Sequence, residues 1–119
     1  MLLHHIAVIC SSERSLAFYE SLGFKEKSRI NRGYDTIVWM EGNRVTLEIF
    51  IDSTHPARVS DPEAYGLRHI ALSVDDTEAE CYKLRLAGYE PEQIRIAPDG
   101  KKVAFVKDPD GLPIELREE

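Results

Sequence analysis

One pattern occurs twice in this chain, and the repeat limits the folds available to it. Residues 3–9 read Leu-His-His-Ile-Ala-Val-Ile, and residues 67–73 read Leu-Arg-His-Ile-Ala-Leu-Ser, so that His5 and His69 occupy matching places. Each copy is followed by a helical pattern, a Gly-aromatic pair and later a strand carrying a lone Glu between apolar neighbours. Self-similarity over this distance indicates one supersecondary unit written twice. We therefore predict an α+β fold of two tandem βαβββ modules.

Size and charge restrict the class of partner. The chain has 119 residues, 43% of them hydrophobic, which suits a single domain with a real core. A formal net charge of −6 argues against nucleic acid or an anionic membrane, since both favour basic surfaces. A small-molecule partner is expected instead.

The sequence also indicates where the protein resides. No apolar run approaches the roughly 20 residues of a membrane span, and residues 1–5 lack the basic start of a signal peptide. Cys10 and Cys81 have no CxxC spacing, which favours reduced thiols over a disulfide. We expect a cytoplasmic protein.

The first module is predicted to span residues 1–51. Ser11 and Ser12 are candidate N-caps for a helix that runs to about Leu22 and is ended by Gly23. Strand alternation places His5 on the face opposite Ile6 and Val8, with His4 pointing the other way. The strands are expected at residues 3–9, 24–30 (half-buried), 36–41 and 44–51, with Gly42-Asn43 as the tight turn between the last two.

A linker (52–66) and a second module (67–119) complete the prediction. The linker contains prolines and His55, which we interpret as a solvated loop residue. In the second module, Thr77 and Glu80 form a capping-box pattern before a helix that ends at Gly88. Its strands are expected at residues 67–74, 92–97, 102–107 and 112–117, with residues 108–111 as the final turn.

Superposing the two modules matches His5 with His69 and Glu48 with Glu115. All four lie on strand faces opposite the apolar residues expected to pack under helices. Imidazole nitrogen and carboxylate oxygen suit divalent Zn, Ni, Co, Mn or Fe(II), and the absence of thiolate disfavours a structural zinc site. Four protein ligands on an octahedral ion leave two positions open for water or substrate.

Each residue also has a plainer explanation when it is taken alone. A strand histidine is more often structural than a ligand, and an inward Glu is more often a charge at a cavity rim. The set of four is different, because burying two carboxylates without compensation is costly and a divalent cation between them compensates both.

This arrangement resembles the vicinal oxygen chelate (glyoxalase/bleomycin resistance protein/dioxygenase) superfamily, and within it the glyoxalase I branch. The resemblance covers nearly the whole chain. The matching motifs are His5-Ile6-Ala7-Val8, Ala17-Phe18-Tyr19-x-x-Leu22-Gly23-Phe24, Leu47-Glu48-Ile49, the stretch from Gly66 to Asp76, and the stretch from Asp108 to Leu116.

The superfamily contains several activities, and the resemblance distinguishes some of them. Its dioxygenases and fosfomycin-modifying transferases use two His and one Glu, which would leave Glu48 surplus. Its methylmalonyl-CoA epimerases typically place Gln at the second position, and metal-free sequestering proteins need none of the four. The resemblance to bacterial glyoxalase I implies one divalent metal held by His5, Glu48, His69 and Glu115.

The resemblance also implies a mechanism. Adjacent substrate oxygens would approach the metal, which would stabilise an enediolate while a carboxylate moves a proton between neighbouring carbons. Position in the family makes Glu115 the first choice for the catalytic base and Glu48 the second. The substrate implied is a small oxygen-rich molecule, and the hemithioacetal of a 2-oxoaldehyde is one candidate.

Two positions depart from the pattern of glyoxalase I. That branch generally carries an Arg four residues after the first metal His and an Asn four residues after the first metal Glu, both holding glutathione. Here those positions are Ile9 and Asp52, so a bidentate carboxylate clamp is missing. Arg29, Arg32, Arg68 and Lys101 are alternative anion contacts, and each can equally be a solvated charge.

Three hypotheses follow from the sequence. The first is a metal-dependent lyase or isomerase of glyoxalase I type, the second a ring-cleaving dioxygenase or epimerase of the same superfamily, and the third a non-enzymatic small-molecule-binding protein. A homodimer is expected, since pairing covers sheet edges. The ligands of each metal could come from one chain or from two.

Overall fold

The computed structural model describes all residues from 1 to 119 and divides the chain into two compact units. The first unit is Met1–Ala57 and the second is Arg58–Glu119. The division falls within the stretch predicted as a linker. No helix has the length and apolar character that crossing a membrane requires.

The first unit contains one helix and one four-stranded sheet. Its elements are β1 (Ile6–Cys10), α1 (Arg14–Ser21), β2 (Lys25–Asn31), β3 (Thr36–Gly42) and β4 (Val45–Ile51). The strand order is β1-β4-β3-β2, with β1 parallel to β4 and the other neighbours antiparallel. Leu47 and Ile49 of β4 and Phe18 of α1 are almost completely buried.

The second unit repeats this plan. Its elements are β5 (Ile70–Val74), α2 (Thr77–Leu86), β6 (Arg95–Ile96), β7 (Lys102–Lys107) and β8 (Pro113–Glu118). The order β5-β8-β7-β6 matches that of the first sheet, again with the first strand parallel to the last. The prediction of an α+β fold built from two tandem βαβββ modules is confirmed.

Strand alternation gives each sheet two unlike faces, as the sequence predicted. Along β4, Leu47 and Ile49 are buried while Glu48 and Phe50 are only partly so. We refer to the surface that carries Ile9, Trp39, Glu48 and Phe50 as the Glu48 face.

Helix α1 begins differently from the prediction. Its N-cap is Glu13, which makes no side-chain capping hydrogen bond, and not Ser11 or Ser12. The Ser12 hydroxyl oxygen still accepts a hydrogen bond from the Arg14 backbone N–H at 3.3 Å. A serine oxygen therefore serves this end of the helix, although the helical backbone starts later.

Strand β2 was expected to be half-buried, and this is wrong, because all seven of its residues are exposed. The strand forms one edge of its sheet and pairs only with β3. Its Arg29 contacts Glu26 at 2.7 Å and Glu13 at 2.6 Å. Hydrogen bonding to Arg29 lowers the pKa of Glu26. The exposed edge of the sheet therefore carries paired charged side chains rather than apolar ones.

The β3–β4 turn lies one residue later than predicted. Gly42 pairs with Val45 inside the ladder, and the turn residues are Asn43 and Arg44, with φ values of +53° and +62°. Two successive positive φ angles are typical of a type I′ turn, whose twist matches that of the flanking strands.

Helix α2 is capped by Asp76 and not by the predicted Thr77–Glu80 box. The Asp76 carboxylate accepts a hydrogen bond from Ala79 N–H at 3.0 Å. Thr77 is completely buried, and its backbone N–H donates to Glu118 at 3.1 Å. Thr77 is the first residue of the helix and its hydroxyl donates to the Lys102 carbonyl at 3.5 Å, so the preceding exposed aspartate caps the helix.

The remaining strands differ mainly in length. The strand predicted over residues 92–97 shortens to Arg95–Ile96, and the last strand is Pro113–Glu118. Cys10 and Cys81 are buried and neither is in a disulfide, and burial raises the pKa of Cys81.

Candidate metal centre

His5 and Glu48 come together in the first unit because β1 and β4 are parallel neighbours. His5 lies one residue before β1, and Ala7 is paired with Glu48. The His5 Nε2 atom is 3.3 Å from Glu48 Oε1. The side chains retain 33% and 16% exposure, so the pair is partly buried yet reachable from solvent.

His69 and Glu115 form the same arrangement in the second unit. His69 lies one residue before β5, and Ala71 is paired with Glu115. The His69 Nε2 atom is 3.5 Å from Glu115 Oε2, with exposures of 25% and 14%. Both histidines therefore stand two residues before the alanine that faces the glutamate. The duplication seen in the sequence extends to individual donor atoms.

These donor separations suit a shared metal ion. Two ligands bound at about 2.1 Å to one ion lie about 3.0 Å apart at a right angle and about 3.4 Å apart at a tetrahedral angle. The observed 3.3 Å and 3.5 Å are close to these values. Each unit brings together two of the four predicted ligands, and nowhere do three or more His, Cys, Asp or Glu side chains gather into a metal-holding group.

An aromatic ring supports each histidine, and sequence reasoning missed both rings. Trp39 is paired with Glu48, and its ring meets the His5 ring edge to face at 5.0 Å. Phe105 is paired with Glu115 and meets the His69 ring at 5.2 Å. Edge-to-face packing restricts the orientation of the imidazole.

Whether the sequence places Trp39 opposite Glu48 depends on where the β3–β4 turn lies. A turn at Gly42-Asn43 would pair Glu48 with Ile37. The observed turn at Asn43-Arg44 moves the pairing by two residues and brings Trp39 opposite Glu48. A two-residue slip keeps every side chain on its face, so alternation cannot detect it.

His4 contacts His5, although alternation predicted that the two would point opposite ways. Their Nδ1 atoms are 2.8 Å apart and their ring centroids 5.0 Å apart. The alternation argument fails because both residues precede β1, where the extended ladder has not begun. One Nδ1 must donate and the other accept. If His5 donates, its Nε2 has a free lone pair beside Glu48, as a metal ligand requires.

His69 has a different neighbour, Arg68. Arg68 Nη1 is 3.1 Å from His69 Nδ1, and a guanidinium can only donate, so Nδ1 accepts and Nε2 carries the ring proton. That proton faces Glu115. Binding of a metal at Nε2 therefore requires the proton to leave and Arg68 to give up this contact.

Glu115 has a second partner that Glu48 lacks. Arg117 Nη1 is 3.7 Å from Glu115 Oε1, while the other carboxylate oxygen faces His69. Arg117 also pairs with Asp99. Since Arg117 follows Glu115 by two residues on β8, strand alternation could have placed both side chains on the same face of the second sheet.

The four candidate anion contacts have separate outcomes. Arg29 is engaged by Glu13 and Glu26, and Arg68 by Glu63 at 3.0 Å and by His69. Lys101 lies just before β7, where its backbone N–H donates to Asp99. Arg32 pairs with Asp35 on the same side of the first sheet as Glu48.

The two positions that depart from the glyoxalase I pattern have distinct surroundings. Ile9 belongs to the Glu48 face and is 53% exposed. The Asp52 carboxylate accepts hydrogen bonds from Thr54 N–H at 2.8 Å and from its hydroxyl at 2.6 Å, and both lower the pKa of Asp52. His55, predicted to be a solvated loop residue, lies 3.5 Å from Asp52 and keeps 47% of its side chain exposed.

Comparison with known proteins identifies the family to which the chain belongs. A sequence profile of the Glyoxalase/Bleomycin resistance protein/Dioxygenase superfamily matches residues 2–116. The chain is 43% identical to YwkD of Bacillus subtilis over 98% of its length and 96% of the relative. It is 36% identical to a lactoylglutathione lyase of Escherichia coli O157:H7, covering 99% and 92%.

A solved structure gives the same result. The crystal structure of a glyoxalase family protein from Enterococcus faecalis superposes with a TM-score of 0.91 at 38% identity, covering 98% of this chain and 97% of that one. This chain belongs to the glyoxalase/bleomycin resistance protein/dioxygenase superfamily.

Proposed function

We propose that this protein is a divalent-metal-dependent lyase or isomerase of glyoxalase I type acting on a small oxygen-rich substrate. The observation that carries the proposal is the repeated His–Glu pair, with donor atoms 3.3 Å apart in one unit and 3.5 Å apart in the other. His5, Glu48, His69 and Glu115 would together hold one ion, with nickel, zinc, cobalt, manganese and Fe(II) as candidates.

A bound divalent ion would supply Lewis-acid polarisation of the oxygens on adjacent substrate carbons. The protein's contribution is to move a proton. Glu115 removes the proton from the hydroxyl-bearing carbon beside a carbonyl and returns it to the carbonyl carbon, while the hydroxyl proton passes to the former carbonyl oxygen, so no external oxidant or reductant is needed. Arg117 Nη1, 3.7 Å from Glu115 Oε1, gives this carboxylate a partner other than the ion that the four residues would hold.

The hemithioacetal of a 2-oxoaldehyde is the first substrate to test, because lactoylglutathione lyases are among the relatives. Ile9 offers no charge for a glutathione carboxylate, and Asp52 is anionic and engaged by Thr54. We therefore expect the preferred thiol to differ from glutathione.

The first experiment combines elemental analysis with activity. Protein purified without chelator should contain about one divalent ion per set of four ligands, and chelation should abolish turnover of methylglyoxal in a panel of thiols. Oxygen consumption with catechols would point to a dioxygenase instead. Ligand binding that chelation leaves unchanged would point to a non-enzymatic binding protein.

A mixing experiment tests whether the four ligands come from one chain or from two. One variant carries His5→Ala with Glu48→Ala, and the other carries His69→Ala with Glu115→Ala. In a homodimer whose sites each take one module from each chain, mixed dimers regain one intact site. Metal binding restored on mixing therefore supports sites shared between copies, and none restored supports sites within each chain.

His4 is expected to position His5 for metal binding. His4→Ala removes the 2.8 Å contact to His5 Nδ1 and should weaken metal affinity about tenfold, since partners of this kind typically contribute 10- to 100-fold. Competition with a chromogenic chelator measures the change.

His55→Ala is the matched control, because the ion-pair partner of His55 is Asp52 and not one of the proposed ligands. This variant should leave metal affinity unchanged. Equal metal affinities for the two variants would contradict the positioning role of His4.

A further inference from the structure

Arg32 lies beside the Glu48 face, next to the proposed ligands of the first unit. Its guanidinium carbon is 4.7 Å from the Tyr34 ring centroid and 5.6 Å from that of Phe50. Phe50 follows Glu48 by two residues on β4 and therefore shares its face. Hydrogen bonding to Asp35 raises the pKa of Arg32, and the charge of Glu48 adds a smaller contribution.

Asp35 holds the guanidinium in a defined orientation. Nε and Nη2 of Arg32 donate to the two carboxylate oxygens of Asp35, and the Arg32 N–H donates to the Asp35 carbonyl at 2.8 Å. The Asp35 side chain is 7% exposed, whereas that of Arg32 is 36% exposed. A guanidinium has five N–H donors, so the pairing with Asp35 leaves three for another acceptor.

Apolar surface lies between this cation and Glu48. Phe50 is paired with Ile9 on β1 and Ile37 on β3, and Ile9 is 53% exposed. Two residues along a strand span about 7 Å, which is the approximate backbone spacing between Glu48 and Phe50, and the guanidinium carbon of Arg32 lies 5.6 Å from the Phe50 ring. Side by side in space, this surface therefore presents the proposed metal ligand Glu48, the apolar side chains of Phe50 and Ile9, and the guanidinium of Arg32.

We propose that Arg32 binds the carboxylate of a small anionic substrate whose adjacent oxygens bind at the metal, an inference that rests on the proposed function. The substrate is then an oxygenated carboxylic acid whose carboxylate lies about 7 Å from its oxygen pair, with its carbon body over Phe50. A carboxylate on the free edge of a held guanidinium forms a charge-assisted, bidentate contact. Arg32 thereby supplies an anion contact that Ile9 does not provide.

The test compares two probes that differ only in charge. 3,4-Dihydroxyphenylacetate carries adjacent oxygens and a carboxylate at about this distance, and its amide lacks the charge. Calorimetric titration of the cobalt-loaded protein should show at least tenfold tighter binding of the acid. In Arg32→Met this preference should fall to within twofold, and Arg32→Lys should keep part of it.

Two further variants make the result specific. Arg29→Met removes an arginine that pairs with Glu13 and Glu26, and it should retain the full preference for the acid. Since Arg32→Met leaves the carboxylate of Asp35 without its partner, Arg32→Met with Asp35→Asn repeats the test without that unpaired charge. Thermal unfolding verifies that each variant is folded.

The possible outcomes separate this inference from the proposed function. Metal-dependent binding of both probes with no preference for the acid would overturn the role of Arg32 and leave the metal site standing. A preference for the acid that depends on Arg32 but not on metal would support Arg32 and overturn the metal site. Binding of neither probe to protein that has taken up cobalt would overturn the inferred substrate class and leave the metal site standing, whereas failure to take up cobalt would overturn the metal site itself.

Discussion

Replacing Glu115 by glutamine should lower kcat/KM by about 10²- to 10⁴-fold, the usual contribution of a general acid–base group. The substitution keeps the shape of the side chain but removes its basicity, so the proton stays on the substrate carbon. The effect should persist at saturating metal. Steady-state kinetics across a metal titration measures it, with the methylglyoxal–thiol adduct that the protein turns over best.

Glu48→Gln separates the base from a ligand. Glu48 has His5 as its ion-pair partner and no arginine comparable to Arg117, so it is the better candidate for a carboxylate that stays on the metal. We expect its glutamine variant to lose metal but to recover to within about tenfold of wild-type kcat at saturating metal, because the base remains. Recovery by Glu115→Gln with no recovery by Glu48→Gln would reverse the two roles.

An exposed carboxylate on the same sheet provides the control. Glu41 lies on β3 and pairs with Thr46, which is two residues from Glu48 on β4, so it is a nearby carboxylate on the same face that is not one of the four proposed ligands. Glu41→Gln removes the same unit of charge and should change neither metal content nor kcat. A comparable loss in this variant would mean that overall charge, rather than the paired glutamates, controls activity.

Replacing Gly42 by alanine should destabilise the fold by about 3 kcal/mol, at the upper end of ordinary overpacking. A Cβ at Gly42 would lie 2.2 Å from the Gly23 carbonyl oxygen and 2.9 Å from the Phe24 Cα. Both are backbone atoms, which cannot rotate away. Chemical denaturation measures the loss in the free energy of unfolding. On heating, the unfolding midpoint should fall by on the order of 10 °C.

Gly100→Ala is the control for backbone strain. Gly100 has a φ of +85° but nothing within 4 Å of its missing Cβ, so alanine there costs about 1–2 kcal/mol of left-handed strain alone. Gly42 is the opposite case, since its conformation is ordinary and its space is occupied. A cost at Gly42 no larger than that at Gly100 would contradict the close approach.

This contact also explains how the first unit is assembled. Gly23 follows α1, where its φ is +100°, and Gly42 closes β3. The Asn43 side chain donates to the Leu22 carbonyl at 2.9 Å and so ties the β3–β4 turn to the end of the helix. The sequence marks Gly42 as a turn residue, whereas its structural role is to let two backbones meet.

Some of the site could be predicted from the sequence because it depends on local periodicity. Alternation along a strand places Glu48 and Glu115 on faces opposite their apolar neighbours, whatever the rest of the chain does. The repeat then identifies His5 with His69 and pairs each with its glutamate. The structure has these pairs at 3.3 Å and 3.5 Å.

The surroundings of those pairs could not be read in the same way. Trp39 and Phe105 face the glutamates only because each hairpin has a particular register, and Arg32 reaches Phe50 only because the β2–β3 turn returns it to the sheet. The cap of α2 also depends on residues far apart in the chain, since the Thr77 hydroxyl donates to the Lys102 carbonyl and Asp76 caps the helix.

The sequence by itself therefore determined the duplicated plan, the faces of the strands and the residue types that the two faces carry. The tertiary structure decided which side chains stand next to them. The physical reason is that periodicity is a property of neighbouring residues along the chain, whereas register joins residues far apart in it. A slip of two positions preserves every face and still changes every partner.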